Sequence, residues 1–303
     1  MRNAFSEELY IQIKKNKKIF ILAADISPSG KMAEIASKNN SQIINVGIAE
    51  QLMIGLSAGL ALKKNIVFNY TIAPFSLYRP FEMVRNDLCL QNLPVTIVGM
   101  GAGTIYSELG PTHMSQEDIS IARSLPNMKI IAPCDTLELK SAIKYCIKNK
   151  SGPIYLRIGK SGEKILTDKS KNRWKFGKIR KLKNGSNACI LTYGPITNIA
   201  FEICKDIKSN ISIYNCHTLK PFDYSSLKKI FNNYSKIIII EDHSIIGGLS
   251  SIVMSYLGEL GYKKKIFKFS LQDKFLNSYD SQKNLLKKHG IDKKIIIKKT
   301  GLK

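Results

Sequence analysis

No run of 18 uninterrupted apolar residues occurs in the 303-residue chain, which argues against a membrane-spanning helix. The N-terminal stretch MRNAFSEELYIQIKKNKK places charges where a signal peptide needs an apolar segment, so a cytoplasmic location is the default expectation. Cysteine is sparse. The six cysteines (Cys89, Cys134, Cys146, Cys189, Cys204 and Cys216) form no CxxC pair and no zinc-type spacing. Most sit among apolar neighbours, as buried reduced thiols do, and no disulfide framework is expected. The four histidines (His113, His217, His243 and His289) are far apart and lack carboxylates at ligand spacing, so no metal site is expected of this chain. Acidic residues are also few: 23 Asp and Glu stand against 47 Lys and Arg, for a net charge of +24. A basic balance of that size suits a nucleic-acid binder. The lysines, however, are spread along the whole chain, and few aromatics interleave with them as a base-stacking surface requires. Nucleic acid is therefore not expected as a partner. An acidic protein or phosphorylated small substrates suit the charge as well.

What the chain does have is enough apolar content, 44%, to bury a sizeable core, and a length that favours two domains. Short apolar runs alternate with helical patterns, which predicts parallel sheets covered by helices on both faces. Strands are expected at 19–25, 41–47, 65–70, 94–100, 128–133 and 153–158, with helices at 48–62, 76–92, 115–124 and 135–148. After Ile158 the pattern breaks, and the basic, polar segment 161–187 reads as a linker between a unit at 1–160 and one at 188–303. The second unit repeats the alternation, with strands at 188–194, 211–216, 236–242 and 264–270 and helices near 197–208, 224–232 and 249–260.

Three segments hold residues that packing alone does not require. The helix after Gly47 carries Glu50 in its first turn, above a small, apolar body. Such a carboxylate can simply complement the helix dipole, but if buried it needs a partner. The segment TIAPFSLYRPFEMVRNDL spaces Phe75, Tyr78 and Phe81 as a helix would and adds Arg79 and Arg85. Aromatics at that spacing are usually core; a wall for a flat heterocycle is the other reading. The loop AGTIYSELGPTHMSQED follows a strand and carries His113, and DISPSGK offers Asp25 and Ser29 after another strand. In open α/β sheets, ligands bind beyond the carboxyl ends of the strands.

Together these segments resemble the C-terminal half of transketolase and of the related deoxyxylulose-phosphate synthases. The resemblance rests on NVGIAEQ (45–51), FSLYRPFEMVR (75–85), GPTHMSQEDI (110–119), ARSLPNMKIIAPCD (122–135), GPIYLR (152–157), HTLKPFD (217–223) and EDHSIIGGL (241–249), in the family's order over nearly the whole chain. It implies a pyrimidine-binding domain followed by a transketolase C-terminal domain with a mixed sheet. It also implies thiamin diphosphate as cofactor, with magnesium held mainly by another chain, because the family's GDG motif for the diphosphate is absent here. The expected assembly is an α2β2 pairing of this chain with an N-terminal-half, diphosphate-binding subunit, acting on small sugar substrates.

By the same resemblance, Glu50 bonds the cofactor's pyrimidine N1′ and so activates it, Phe75 stacks on that ring with Tyr78 and Phe81 completing the wall, and Asp25 lies near the cofactor. His113 faces the reacting carbonyl. Arg2 and Ser29 match phosphate-contacting positions, and Arg79 belongs to the same polar lining. Three departures affect substrate recognition: Leu109 stands where an Asp contacts the donor's hydroxyl, Gly101 where a His is usual, and Lys160 where an Arg often grips phosphate. They point to transfer of a two-carbon ketol or acyl unit to a specialised acceptor. A pyruvate-using 2-oxo-acid dehydrogenase or deoxyxylulose-phosphate-synthase-like β subunit, and a non-catalytic scaffold subunit, are the alternatives.

Overall fold

A computed structural model describes residues 1–25, 31–38, 41–168, 173–208, 210–261 and 264–302. The first unit contributes six parallel strands: β1 (Ile19–Ala23), β2 (Ile43–Asn45), β3 (Ile66–Ile72), β4 (Val95–Met100), β5 (Lys129–Ile131) and β6 (Ile154–Ile158). The second contributes β7 (Arg180–Lys183), β8 (Ala188–Thr192), β9 (Ile211–Asn215), β10 (Thr218–Lys220), β11 (Lys236–Ser244) and β12 (Lys265–Leu271). Helices alternate with them: α1 (Arg2–Lys15), α2 (Lys31–Ser37), α3 (Glu50–Leu62), α4 (Ala73–Leu77), α5 (Phe81–Met83), α6 (Asp118–Ser124), α7 (Thr136–Lys148), α8 (Thr197–Asp206), α9 (Tyr224–Asn233), α10 (Leu249–Glu259), α11 (Gln282–Lys288) and α12 (Lys293–Thr300).

Strands β4, β6, β8 and β9 are buried along their whole length, as the continuous apolar runs of a sheet covered on both faces must be. Some helix starts carry acidic caps: Asp135 accepts from the N–H groups of Leu137 and Glu138 at 3.0 and 2.9 Å, and Asp223 accepts from the Ser226 N–H at 3.2 Å at the start of α9.

The sheets are mixed, in the orders β10-β5-β6-β4-β3-β1-β2 and β12-β11-β8-β9-β7. Two strands fall outside the predicted pattern. The segment read as a linker holds β7, which pairs antiparallel with β9 at the edge of the second sheet. Strand β10 leaves the second unit and pairs antiparallel with β5, at the edge of the first sheet. A single apolar cluster runs from Leu22 and Ile97 in the first unit to Leu191 and Ile237 in the second.

The predicted helix 76–92 is interrupted. Pro80, which has no N–H to continue the ladder, separates α4 from α5, and the chain then continues as a π-helical stretch, Val84–Leu90. The break leaves Arg79 between two helical pieces.

Candidate functional site

Five of the candidate residues follow the carboxyl ends of strands of the first sheet. Asp25 follows β1, Glu50 opens the helix after β2, Phe75 lies in α4 after β3, Gly101 follows β4 and Lys160 follows β6. Ser29 lies outside the described residues.

Glu50 is 2% exposed, and both of its carboxylate oxygens lie 2.8 Å from Arg79 Nη1. The side chain of Arg79 is 40% exposed. Its guanidinium carbon sits 4.4 Å from the centroid of the Phe75 ring. Phe75 in turn meets His113 edge-on, with centroids 5.4 Å apart and planes at 73°. His113 ends a 3-10 turn, and its Nδ1 lies 3.0 Å from the Thr112 hydroxyl. Glu50, Arg79, Phe75 and His113, drawn from three separate stretches of sequence, thus form one continuous line of contacts.

Tyr78 and Phe81 pack against the core between the two units. The Tyr78 hydroxyl donates to Glu117 Oε2 at 3.1 Å and accepts from the Glu117 N–H at 3.2 Å. Burial, followed by the charges of Asp118 and Glu117, raises the Tyr78 pKa, so the phenol keeps its proton. Asp25 is exposed, and its φ of 41° is uncommon for a residue with a side chain; Asn45 Oδ1 accepts from its N–H at 3.2 Å.

A second group surrounds Tyr106, a residue outside the motifs that carry the family resemblance. The Arg2 N–H donates to the Lys160 carbonyl at 2.9 Å, and Lys160 Nζ stands 4.8 Å from the Tyr106 ring centroid. Gly101, at φ +65°, lies so close to that ring that a Cβ would come within 2.0 Å of Tyr106 Cε2. Leu109 is 49% exposed, and its N–H donates to the Tyr106 carbonyl at 2.8 Å. The second unit also reaches this loop. A Cβ on Gly110 would lie 2.5 Å from Tyr279 Cε1, and the Ser107 hydroxyl donates to the Asp280 carbonyl at 2.7 Å. Tyr279 lies far away in sequence, so no local pattern marks it.

Beneath the loop, Asp118 accepts from Arg157 Nε at 2.9 Å and from the Tyr155 hydroxyl at 2.8 Å. Arg157 Nη2 continues to the Asp242 carbonyl at 2.8 Å, and the Asp242 carboxylate accepts from Thr104. Burial is the largest influence on Arg157 and works against its charge, but Asp118, together with Tyr193, Asp242 and Tyr155, outweighs it and the guanidinium pKa is raised. These fully buried pairs fix the loop 101–118 between the two units.

A cavity of about 560 Å³ lies beside α8, α11 and α12 and holds none of the candidate residues, though its lining residue Gln282 donates to Asp242 at 3.0 Å. Among the described residues, no cluster of three or more His, Cys, Asp or Glu side chains could hold a metal ion. No described helix is long and apolar enough to cross a membrane.

Residues 1–162 match the transketolase pyrimidine binding domain, and residues 177–296 match the transketolase C-terminal domain. The chain belongs to the transketolase family. It is 34% identical, over 99% of its own length and 94% of the other's, to a putative transketolase C-terminal section of Methanocaldococcus jannaschii. It is 29% identical, over 98% and 96%, to one subunit of an apulose-4-phosphate transketolase of Actinobacillus succinogenes. Among solved structures, a split gene transketolase described as an inactive beta4 tetramer superposes with a TM-score of 0.88 at 31% identity, covering 99% of this chain and 96% of that one. The transketolase family uses thiamin diphosphate, and the residues present fit its pyrimidine. The Arg79 guanidinium, a flat group bearing N–H donors, already lies on the Phe75 face while bonded to Glu50. A planar, nitrogen-bearing ring offers the same two complementary surfaces.

Proposed function

We propose that this chain is the C-terminal subunit of a heteromeric, thiamin-diphosphate-dependent transketolase. It transfers a two-carbon ketol or acyl unit from a ketose or keto-acid donor to an aldehyde or sugar acceptor. The observation that carries the reading is the line from Glu50 through the Phe75 face to His113, after the carboxyl ends of β2, β3 and β4, with the carboxylate buried and the aromatic half-open.

In this reading Glu50 holds a proton at the pyrimidine N1′, in a setting where low dielectric strengthens the hydrogen bond. Phe75 stacks on the ring and excludes water. His113 sits across Phe75 from Glu50, where an imidazole can give or take a proton at the donor's carbonyl oxygen. Thiamin diphosphate, when bound, supplies the carbon nucleophile that accepts the two-carbon unit. Asp25 lies near the cofactor, and Arg2 with Lys160 offers positive charge to a phosphorylated sugar.

The chain works with an N-terminal-half partner that holds the diphosphate through magnesium, in an α2β2 assembly. That pairing is supported by the relatives named as a C-terminal section and as one subunit of a transketolase, and by the split neighbour. Leu109, in place of a hydroxyl-binding Asp, supports a specialised sugar as substrate, because losing a polar partner removes discrimination for that hydroxyl. The test is to mix the two chains. Thiamin-dependent turnover should require both, and Glu50→Gln should abolish it without unfolding the subunit. Full turnover by that variant would refute the assignment.

A further inference from the structure

Gly101 and Tyr106 are sterically a matched pair: no side chain can stand at 101 while the Tyr106 ring is in place, since even a Cβ would approach Cε2 to 2.0 Å. Tyr106 is 7% exposed, and its hydroxyl donates to Met100 Sδ at 2.9 Å. A thioether is a weak acceptor, so the ring is held mainly by its burial. One face carries Lys160 Nζ at 4.8 Å from the centroid, an attraction between ammonium and ring quadrupole. The Lys160 carbonyl is bonded to the N–H of Arg2, and the Nε of Arg2 is buried without a hydrogen-bond partner. Arg2 is also close enough to oppose the upward effect of burial on the Tyr106 pKa. The Tyr106 carbonyl accepts from Leu109, four residues before His113. Tyr106 therefore joins two basic residues to the loop that carries the histidine.

We propose that Tyr106 is a specificity-determining, positioning residue. It fills the space above Gly101 and aims Lys160, together with Arg2, at the terminal anionic group of the sugar donor. The proposal rests on the transferase reading for its substrate. The anion site itself can be read without turnover. Removing the ring frees Lys160 and opens the floor; removing only the hydroxyl leaves both intact.

The experiment uses the assembled pair of chains and the variants Tyr106→Phe and Tyr106→Ala. Inorganic phosphate is the binding probe, followed by thermal shift, and phosphorylated and unphosphorylated ketoses are compared as donors. Tyr106→Phe should match the parent in both assays. Tyr106→Ala should lose most of the phosphate-induced shift and raise KM for phosphorylated donors about tenfold, the size of a lost cation–π contact plus lost alignment. Its kcat, and its KM for unphosphorylated donors, should stay within about twofold. Gly101→Ala should impair the parent, and Tyr106→Ala added to it should recover only the part of that loss due to the clash, since the φ of +65° at 101 disfavours any side chain. An unchanged phosphate response and unchanged donor preference in Tyr106→Ala would overturn the proposal. A phosphate response that follows the ring in a pair lacking thiamin-dependent turnover would support it while sinking the transferase reading.

Discussion

Replacing Arg79 by alanine should tighten binding of thiamin diphosphate. The guanidinium occupies both surfaces that a pyrimidine needs, the Glu50 carboxylate and the Phe75 face, so it must leave before the ring can enter. The cost of its leaving can be bounded. Its side chain is 40% exposed, so the ion pair is discounted for solvent to about 0.5–1 kcal/mol despite two 2.8 Å contacts. The contact with Phe75 adds about 0.5–1 kcal/mol. Displacement thus costs about 1–2 kcal/mol, which is roughly five- to thirty-fold in the cofactor's dissociation constant. Arg79→Ala should recover that factor in calorimetric titration of the assembled pair with the cofactor and magnesium. Arg79→Lys, which keeps charge but cannot lie flat on the ring, should recover part of it. Equal or weaker binding in Arg79→Ala would show that the arginine assists the cofactor rather than competing with it, and the displacement argument would fail.

Three further outcomes are expected. Asp118→Asn leaves the buried Arg157 without its counter-charge and should cost about 3–5 kcal/mol in urea unfolding, while a paired replacement by Asp118→Leu and Arg157→Met should cost much less. His217 is buried against Trp174, and burial, then Arg180, lowers its pKa from 6.5 to about 3. Because the folded value is the depressed one, this stability is intact above about pH 6.5 and lost progressively as pH falls toward about 3. At pH 5 the deficit is about 2 kcal/mol, and a pH series of melts on His217→Phe should show that slope flattened. Leu109→Asp should shift donor preference toward ordinary ketose phosphates in a competition assay, and no shift would mean that the apolar residue is silent.

Much of this architecture can be read from the chain alone, because buried parallel strands such as PVTIVGM are continuous apolar runs of strand length. Two of the four edge strands escape that logic. RKLK at 180–183 and TLK at 218–220 are short and half polar, and only their sheet neighbours make them strands. A helix running through 76–92 takes no account of Pro80, and that interruption is what turns Arg79 toward Glu50 and Phe75. Glu50, Phe75 and His113 sit in contiguous motifs and are legible there. Tyr106 and Tyr279 are not: Tyr106 fits over a glycine five residues back in an irregular loop without periodicity, and Tyr279 over a glycine far away in sequence, and local patterning carries no trace of either fit.

Strand β10 has a practical consequence for anyone who cuts this molecule at its apparent seam. A fragment ending near residue 160 would keep the whole cluster of Glu50, Phe75 and His113, yet it would lose the three residues that cover the outer side of β5. Its sheet would then present raw backbone donors and acceptors to solvent, the template on which chains stick to one another. It would also lose the Tyr279 contact and the Asp242 anchor that hold the histidine loop. Such a fragment is expected to aggregate, so transplanting the pyrimidine-binding half into another enzyme requires carrying 218–220 with it or designing a substitute edge.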